Sequence, residues 1–475
     1  MKRKKIILHK KKILLGVIFF IILLCGLGLF FFFYNRFCPP VQNIPSKNLE
    51  FTPNDRILIL APHPDDEVLA CGGIIQEAKR LNLPVKICFV TYGDANELSF
   101  FHYHHRLLLN PRKAKSQGET RRNEAINAAS CLGLSKDNLI FLGYPDLGIL
   151  KIWQFYWGAK VPYRSILTRA ESVPYPDAFR PGALYKGEEV LADLKKVIAD
   201  FQPTKIFVSH PADQHPDHRG VYLFTQIALW DLSGKIHPSC YTYLVHHQEK
   251  RWPEPFGYHP ERTLNIPSDL IYLMDWQNYN LTEEQEEKKF VALKAHASQY
   301  NYYPSFLSSF IRQNEIFGSF PSVNLEASEV FIPADNAGSL LRIIPQFWIN
   351  LKKRLYIENE SLSMQKKDNS LLIKVKFERP FSQDIRFIFA LCGYRNDKPF
   401  ASLPKIEVLI KGSSYKIYNK GDFIQKELKL TRNFNQVEIK IPLEVLGNPQ
   451  RILFSGKSQD DHSLFDWWSW RIINL

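Results

Sequence analysis

No two cysteines in this chain stand at C-x-x-C spacing; Cys25, Cys38, Cys71, Cys88, Cys131, Cys240 and Cys392 occur singly. That excludes a thiolate zinc motif and a dithiol redox motif, and an odd count gives no disulfide framework. Such cysteines read as small buried apolar residues, the usual state of a free thiol. Internal repeats and low-complexity tracts are absent as well. Strong charge is missing from the body of the chain: of a net +13, seven charges come from Lys2, Arg3, Lys4, Lys5, Lys10, Lys11 and Lys12, which leaves +6 for the rest. The basic balance therefore gives little support to a nucleic-acid partner, and none is expected.

What is present begins with residues 13–34, an uncharged apolar run long enough to cross a hydrocarbon core that needs about 20 such residues as a helix. A cleavable signal peptide wants a shorter run and a small-residue cleavage site, whereas Phe30 to Tyr34 are bulky aromatics. The segment reads as a single transmembrane anchor. Residues 1–12 form its basic cytoplasmic tail, and everything after Tyr34 lies outside the cytoplasm by the positive-inside bias. Residues 35–54, with Pro39, Pro40 and Pro45, read as a semi-extended linker.

From Arg56 onward short apolar runs alternate with longer amphipathic ones, the pattern of an α/β fold built on a mostly parallel sheet. Strands are expected at 56–60, 85–91, 138–142 and 205–209, and helices at 67–81, 119–132, 188–201, 218–230 and 283–295. A Rossmann-like layered domain over 55–320 follows. After about residue 325 short runs separated by Gly, Pro, Asn and Asp indicate a β-rich, sandwich-like domain over 325–475.

Two polar motifs interrupt this pattern, each directly after an apolar strand. The first is Ala61-Pro62-His63-Pro64-Asp65-Asp66-Glu67; the second is Pro211-Ala212-Asp213-Gln214-His215-Pro216-Asp217-His218. In an open α/β sheet ligands bind at the carboxyl ends of strands, so both loops belong at one edge. His and carboxylate donors with one vacant position are what a catalytic zinc requires. Read blandly, each motif is a solvated turn capping the next helix.

Together the motifs resemble the PIG-L/LmbE family of zinc-dependent de-N-acetylases. Pro62 to Glu67 match the family's P-H-P-D-D-E block, and Pro211 to His218 its P-x-D-x-H-x-D-H block. Arg121-Arg122-Asn123-Glu124 is similar to the family's R-x-x-E helix, and Leu293 with His296, Ser298 and Gln299 gives weaker agreement. The resemblance covers residues 55–315. It implies zinc ligands His63, Asp66 and His218, with Asp65 as general base. It places His215 across the reacting carbonyl as an imidazolium, with Asp217 holding the other ring N–H of His215. The substrate it implies is an N-acetylated amino sugar in a glycan or glycolipid.

Arg121, Asp94, Asp213 and His296 are candidate substrate-binding residues; each has a bland counterpart as a solvated, turn-closing or core group. His102, His104 and His105 read as a polar loop, Arg112, Lys113 and Lys115 as a solvated one, and Trp153 with Trp157 as core. Two other functions fit the same residues: a non-catalytic carbohydrate-binding envelope protein, and a zinc amidase acting on another acyl amide.

Overall fold

Five short strands form the centre of the fold, the first four of them largely apolar: β1 (Ile57–Ala61), β2 (Val85–Thr91), β3 (Leu139–Tyr144), β4 (Lys205–Ser209) and β5 (Ser239–Tyr243). Strands buried on both faces read as continuous hydrophobic runs rather than alternating ones, and β1, ILILA, is buried at every residue. All neighbours pair in parallel, in the spatial order β3-β2-β1-β4-β5. The order reverses between β1 and β4. In doubly wound sheets the crevice at that reversal, at the carboxyl ends, is where ligands sit.

The computed structural model describes residues 45, 47–95, 110–247, 252–325, 328–335, 361–378, 380–461 and 464–475, with Gly26 in addition. Apart from Gly26, the span read at residues 13–34 lies outside the described residues. So do the tail 1–12, most of the linker 35–54, and His102, His104 and His105. Among the described residues no helix is long and apolar enough to cross a membrane.

Helices α1 (Asp66–Arg80), α2 (Pro111–Cys131), α3 (Ile149–Phe155), α4 (Gly187–Phe201) and α5 (Pro216–Leu232) connect the strands. In α4 the buried Val190, Leu191, Leu194, Val197, Ile198 and Phe201 recur at spacings of three and four, so one stripe faces the sheet. Helix α2 starts eight residues before the expected Glu119. Asn110 caps it, accepting from Lys113 N at 3.0 Å, and Pro111 fills the first turn, where its missing N–H costs nothing. Arg112, Lys113 and Lys115 therefore sit on a helix and not in a loop.

The antiparallel strands β6 (Asp275–Asn280) and β7 (Asn314–Ser319) flank helix α6 (Glu283–Ala295). A capping box between Thr282 and Gln285 starts α6, and the buried Lys289–Glu315 ion pair, 2.7 Å, ties it to β7.

The C-terminal residues form two sheets. Val330–Ile332, Ser361–Lys367, Ser370–Lys376, Gln436–Pro442 and Lys429–Asn433 make the smaller one, in that spatial order. The larger is centred on Arg386–Tyr394, Arg451–Gln459 and Leu464–Asn474. Ile373, Val375, Phe387, Phe389, Ile439 and Phe454 fill the space between them, as in a sandwich. Side chains of alternate residues point the other way. Cys392, Tyr394, Leu453 and Trp470 thus join the core of the α/β part, together with Phe400 and Leu403. Trp153 and Trp157 are buried there, with Trp153 stacked on Phe400 at 5.1 Å. From Ile44 to Leu475 the chain is one compact unit.

Candidate active site

Chain leaving β1 turns at once into α1, and the turn is tight enough to put Asp65 at φ +130°, a backbone conformation L-residues adopt at a cost of order 1–3 kcal/mol. Asp66 Oδ2 accepts the His63 N–H at 2.9 Å and Glu67 Oε2 the Asp65 N–H at 2.9 Å, so the motif's own carboxylates hold the strained turn. Chain leaving β4 does the same with Asp213: Oδ1 accepts from His215 N at 2.8 Å, and Oδ2 from Val245 N and His246 N at 3.0 Å each. His215 caps α5, and its Nδ1 accepts from Asp217 N at 3.2 Å.

The two loops meet at the reversal point. His63 Nδ1 lies 3.3 Å from Asp66 Oδ2 and 3.3 Å from His218 Nε2, and His218 Nε2 lies 3.2 Å from Asp66 Oδ2. These three atoms form a nearly equilateral triangle. A tetrahedral ion bonded equally to corners so spaced lies about 2.0 Å from each, which is the length of zinc bonds to imidazole nitrogen and carboxylate oxygen. His63, Asp66 and His218 thus fit such an ion. Broader donor sets within 4.8 Å also form: His63 with His215 and His218; His63 with Asp146, His215 and Asp217; and Asp66 with His218 and His246.

Each histidine of the triangle turns its other nitrogen to carboxylates. His63 Nε2 lies 3.2 Å from Asp146 Oδ1 and 3.3 Å from Asp217 Oδ2; His218 Nδ1 lies 3.0 Å from Asp213 Oδ2. Such outer partners fix the tautomer and orientation of metal-ligating histidines. Burial opposes the charged form of both rings. The carboxylates nevertheless hold His63 well above its usual pKa, Asp146 chief among them, and bring His218 to about 9.

Asp65 borders the cleft with Arg121, whose Nη2 reaches Asp65 Oδ2 at 3.2 Å and Pro64 O at 2.7 Å while Nη1 reaches Gly93 O at 3.1 Å. Burial lifts the Asp65 carboxyl to about 6, against the pull of Arg121 and with Asp66 adding to the rise. A carboxylate poised there is well matched to taking a proton near neutrality. Burial, then the charges of His63, His218 and His246, push His215 well below its usual pKa.

Several expectations are corrected. Asp217 does not hold the His215 ring: its carboxylate accepts from Leu147 N at 2.6 Å and Ile149 N at 2.9 Å and faces His63. It is the backbone amide of Asp217 that sets His215, while burial and the neighbouring imidazoles disfavour the charged imidazolium form of the ring. Asp94, Asp213 and His296 are each fully buried and do not line the cleft. Asp94 accepts from Tyr175 Oη at 2.7 Å and Asp146 N at 3.3 Å, so it sets the loop that carries Asp146. His296 Nε2 meets Glu67 Oε1 at 2.9 Å and acts on Asp65 at one remove. Of the four candidate substrate contacts only Arg121 borders the cleft.

Sequence reasoning missed Asp146 and His246, both at the cleft. They lie just past β3 and β5, as Asp94 lies past β2, so every strand of the sheet delivers a residue to the same edge. The cleft, about 540 Å³, has an apolar lining that includes Leu147, Ile166, Leu167, Tyr303, Phe306 and Leu307.

That edge geometry agrees with the match of residues 58–229 to the profile of the family described as PIG-L: GlcNAc-PI de-N-acetylase. Residues 58–229 are a PIG-L domain. The PIG-L domain is that of a hydrolase, a de-N-acetylase. No curated protein matches the sequence. Solved structures similar to the chain include a deacetylase of an antimicrobial pseudoaglycone, at 17% identity and TM-score 0.36 over 56% of this chain and 96% of that one. Another is N,N'-diacetylchitobiose deacetylase from Pyrococcus horikoshii, at 19% and 0.34 over 55% and 82%. A third is 4-carboxy-2-hydroxymuconate hydratase from Pseudomonas putida, at 15% and 0.36 over 58% and 100%.

Proposed function

We propose that the chain is a membrane-tethered, zinc-dependent hydrolase that removes the N-acetyl group from an amino sugar of a glycan or glycolipid on the outer side of the cytoplasmic membrane. The observation that carries this reading is the triangle of His63 Nδ1, Asp66 Oδ2 and His218 Nε2, with edges of 3.2–3.3 Å, beside a buried carboxylate with a pKa of about 6. Zinc held there would act as a Lewis acid, lowering the pKa of water to about 7 and polarising the amide carbonyl.

The remaining work falls to the chain. Asp65 takes the proton of the attacking water, and Arg121 keeps its carboxylate aimed while leaving it basic enough to accept. His215 Nδ1 is engaged by a backbone N–H, so the neutral ring carries its proton on Nε2. Keeping its proton throughout, that N–H can hydrogen-bond to the carbonyl oxygen as charge develops there, the stage at which such a donor is worth most. Proton return from Asp65 to the departing amine completes the hydrolysis. The apolar walls of the cleft suit an amino sugar that carries a bulky or lipid neighbour, which favours a glycoconjugate over a free monosaccharide.

Metal analysis of the purified chain together with free-amine release from N-acetylglucosamine conjugates tests the reading. Asp65→Asn should lower kcat by about 10²–10⁴-fold with bound zinc retained; a zinc-loaded wild-type chain that releases no amine from any acetylated sugar would refute it. The external location rests on residues 1–34 alone, and a compartment reporter fused after Leu475 decides it.

A further inference from the structure

The sandwich touches the PIG-L domain where the second motif is. On strand Leu464–Asn474, Trp467 lies under the guanidinium of Arg219, 4.4 Å from Cζ to the ring centroid. Arg219 follows His218 directly and is buried; its backbone N–H donates to His215 O at 3.3 Å and its Nη1 reaches Asp213 O at 3.5 Å. Four residues along the same strand, the Arg471 guanidinium packs on Phe320 at 3.1 Å, and Phe320 meets the His210 ring edge-on at 4.7 Å. Asp335, buried, fixes this strand: it accepts from Ser469 N at 3.0 Å and from Arg471 Nη2 at 2.6 Å. Further along α5, Tyr394 Oη donates to Asp231 Oδ1 at 3.1 Å.

The segment from His210 to Arg219, a loop that runs into the first turn of α5, is thus held at both ends from one sandwich strand, directly at Arg219 and through Phe320 at His210, and the residues between include Asp213, His215, Asp217 and His218. We propose that the C-terminal sandwich is a brace for the metal centre: Trp467 through Arg219, and Arg471 through Phe320, hold this loop where His218 meets His63 and Asp66. Trp467 is a positioning residue. The inference rests on the proposed function only for its consequence in zinc affinity; the ordering of the loop does not depend on it. A strand that reaches one segment at two points, directly through Trp467 on Arg219 and through Phe320 from Arg471, inside a single compact unit, differs from an appended binding module, whose removal would leave the site intact.

The test uses the full chain with Trp467→Ala, Trp467→Phe and Arg219→Gln, compared with Ile439→Ala, which damages the sandwich core from the sheet that does not contain strand Leu464–Asn474. Trp467→Ala is expected to speed amide hydrogen exchange across residues 210–219 at least tenfold and to weaken zinc binding, measured by chelator competition, about tenfold. Trp467→Phe should retain most of both, and Arg219→Gln should reproduce the loss even where Trp467→Ala fails to fold. Unchanged exchange at 210–219 in folded Trp467→Ala or Arg219→Gln overturns the brace. Equal effects from Ile439→Ala overturn it too, since they would reflect general stability. A wild-type chain that binds no zinc would sink the proposed function and leave hydrogen exchange to decide the brace.

Discussion

Asp213 offers the sharpest test of how the site is held together. Fully buried, it receives backbone N–H groups from His215, Val245 and His246 at 2.8–3.0 Å and faces His218 Nδ1 at 3.0 Å. In Asp213→Asn the amide keeps its oxygen at the Oδ2 place, where three partners converge, and turns its NH₂ toward the His215 N–H. One charge-assisted bond is lost and a buried donor stranded, a cost of about 1.5–3 kcal/mol. The charge beside His218 vanishes as well. Loss of such an outer partner typically weakens metal binding 10–100-fold, which is about 1.4–2.7 kcal/mol. Chelator competition on the purified chain should show zinc affinity lowered within that range, with KM for the acetylated sugar little changed once zinc is saturating. A zinc affinity within twofold of wild type would refute this account, and a raised KM in its place would restore Asp213 as a substrate contact.

Gly93→Ala should be severe for a residue so small: its Cβ would lie 2.1 Å from Arg121 Nη1, at φ +65°. Arg121 must move off Asp65, so kcat should fall at least tenfold and the melting temperature drop by several degrees; a kinetically normal variant would show that Arg121 does not govern Asp65. Stripping metal with a chelator should abolish amine release and lower the melting temperature, and added zinc should restore both, since an ion that binds only the folded chain stabilises it. A melting temperature indifferent to zinc would argue against a loaded triangle. Asp217→Asn should weaken zinc binding through His63 while leaving His215, which is set by a backbone amide, in place; a nitrogen-15 spectrum of the histidine rings distinguishes the two.

The strands before both motifs were legible because their residues are buried on both faces and so form unbroken apolar runs. β5, SCYTY, was not: its first three residues are exposed or half-buried at the sheet's edge, and it carries none of that signal. His246 vanished from view with it, and Asp146 was overlooked past the end of β3. The start of α2 was hidden by its polar opening, RKAKSQGE, although Asn110-Pro111 marks a helix entry. Asp94 and Asp213 were read as substrate contacts for one reason. A buried carboxylate that gathers backbone N–H groups looks, in sequence, the same as one offered to a ligand; only depth tells them apart. Likewise Asp217 was assigned to His215, two residues before it in the chain, whereas the fold brings His63 to it from 154 positions away.

His63 and His218 stand 155 residues apart, and the sheet alone makes them neighbours. An emerging polypeptide therefore owns half a site until β4 has docked beside β1 and the turn after it has closed. No unfolded stretch can mimic the triangle, so the ion should be captured late in maturation, and its uptake should report that the central sheet is complete.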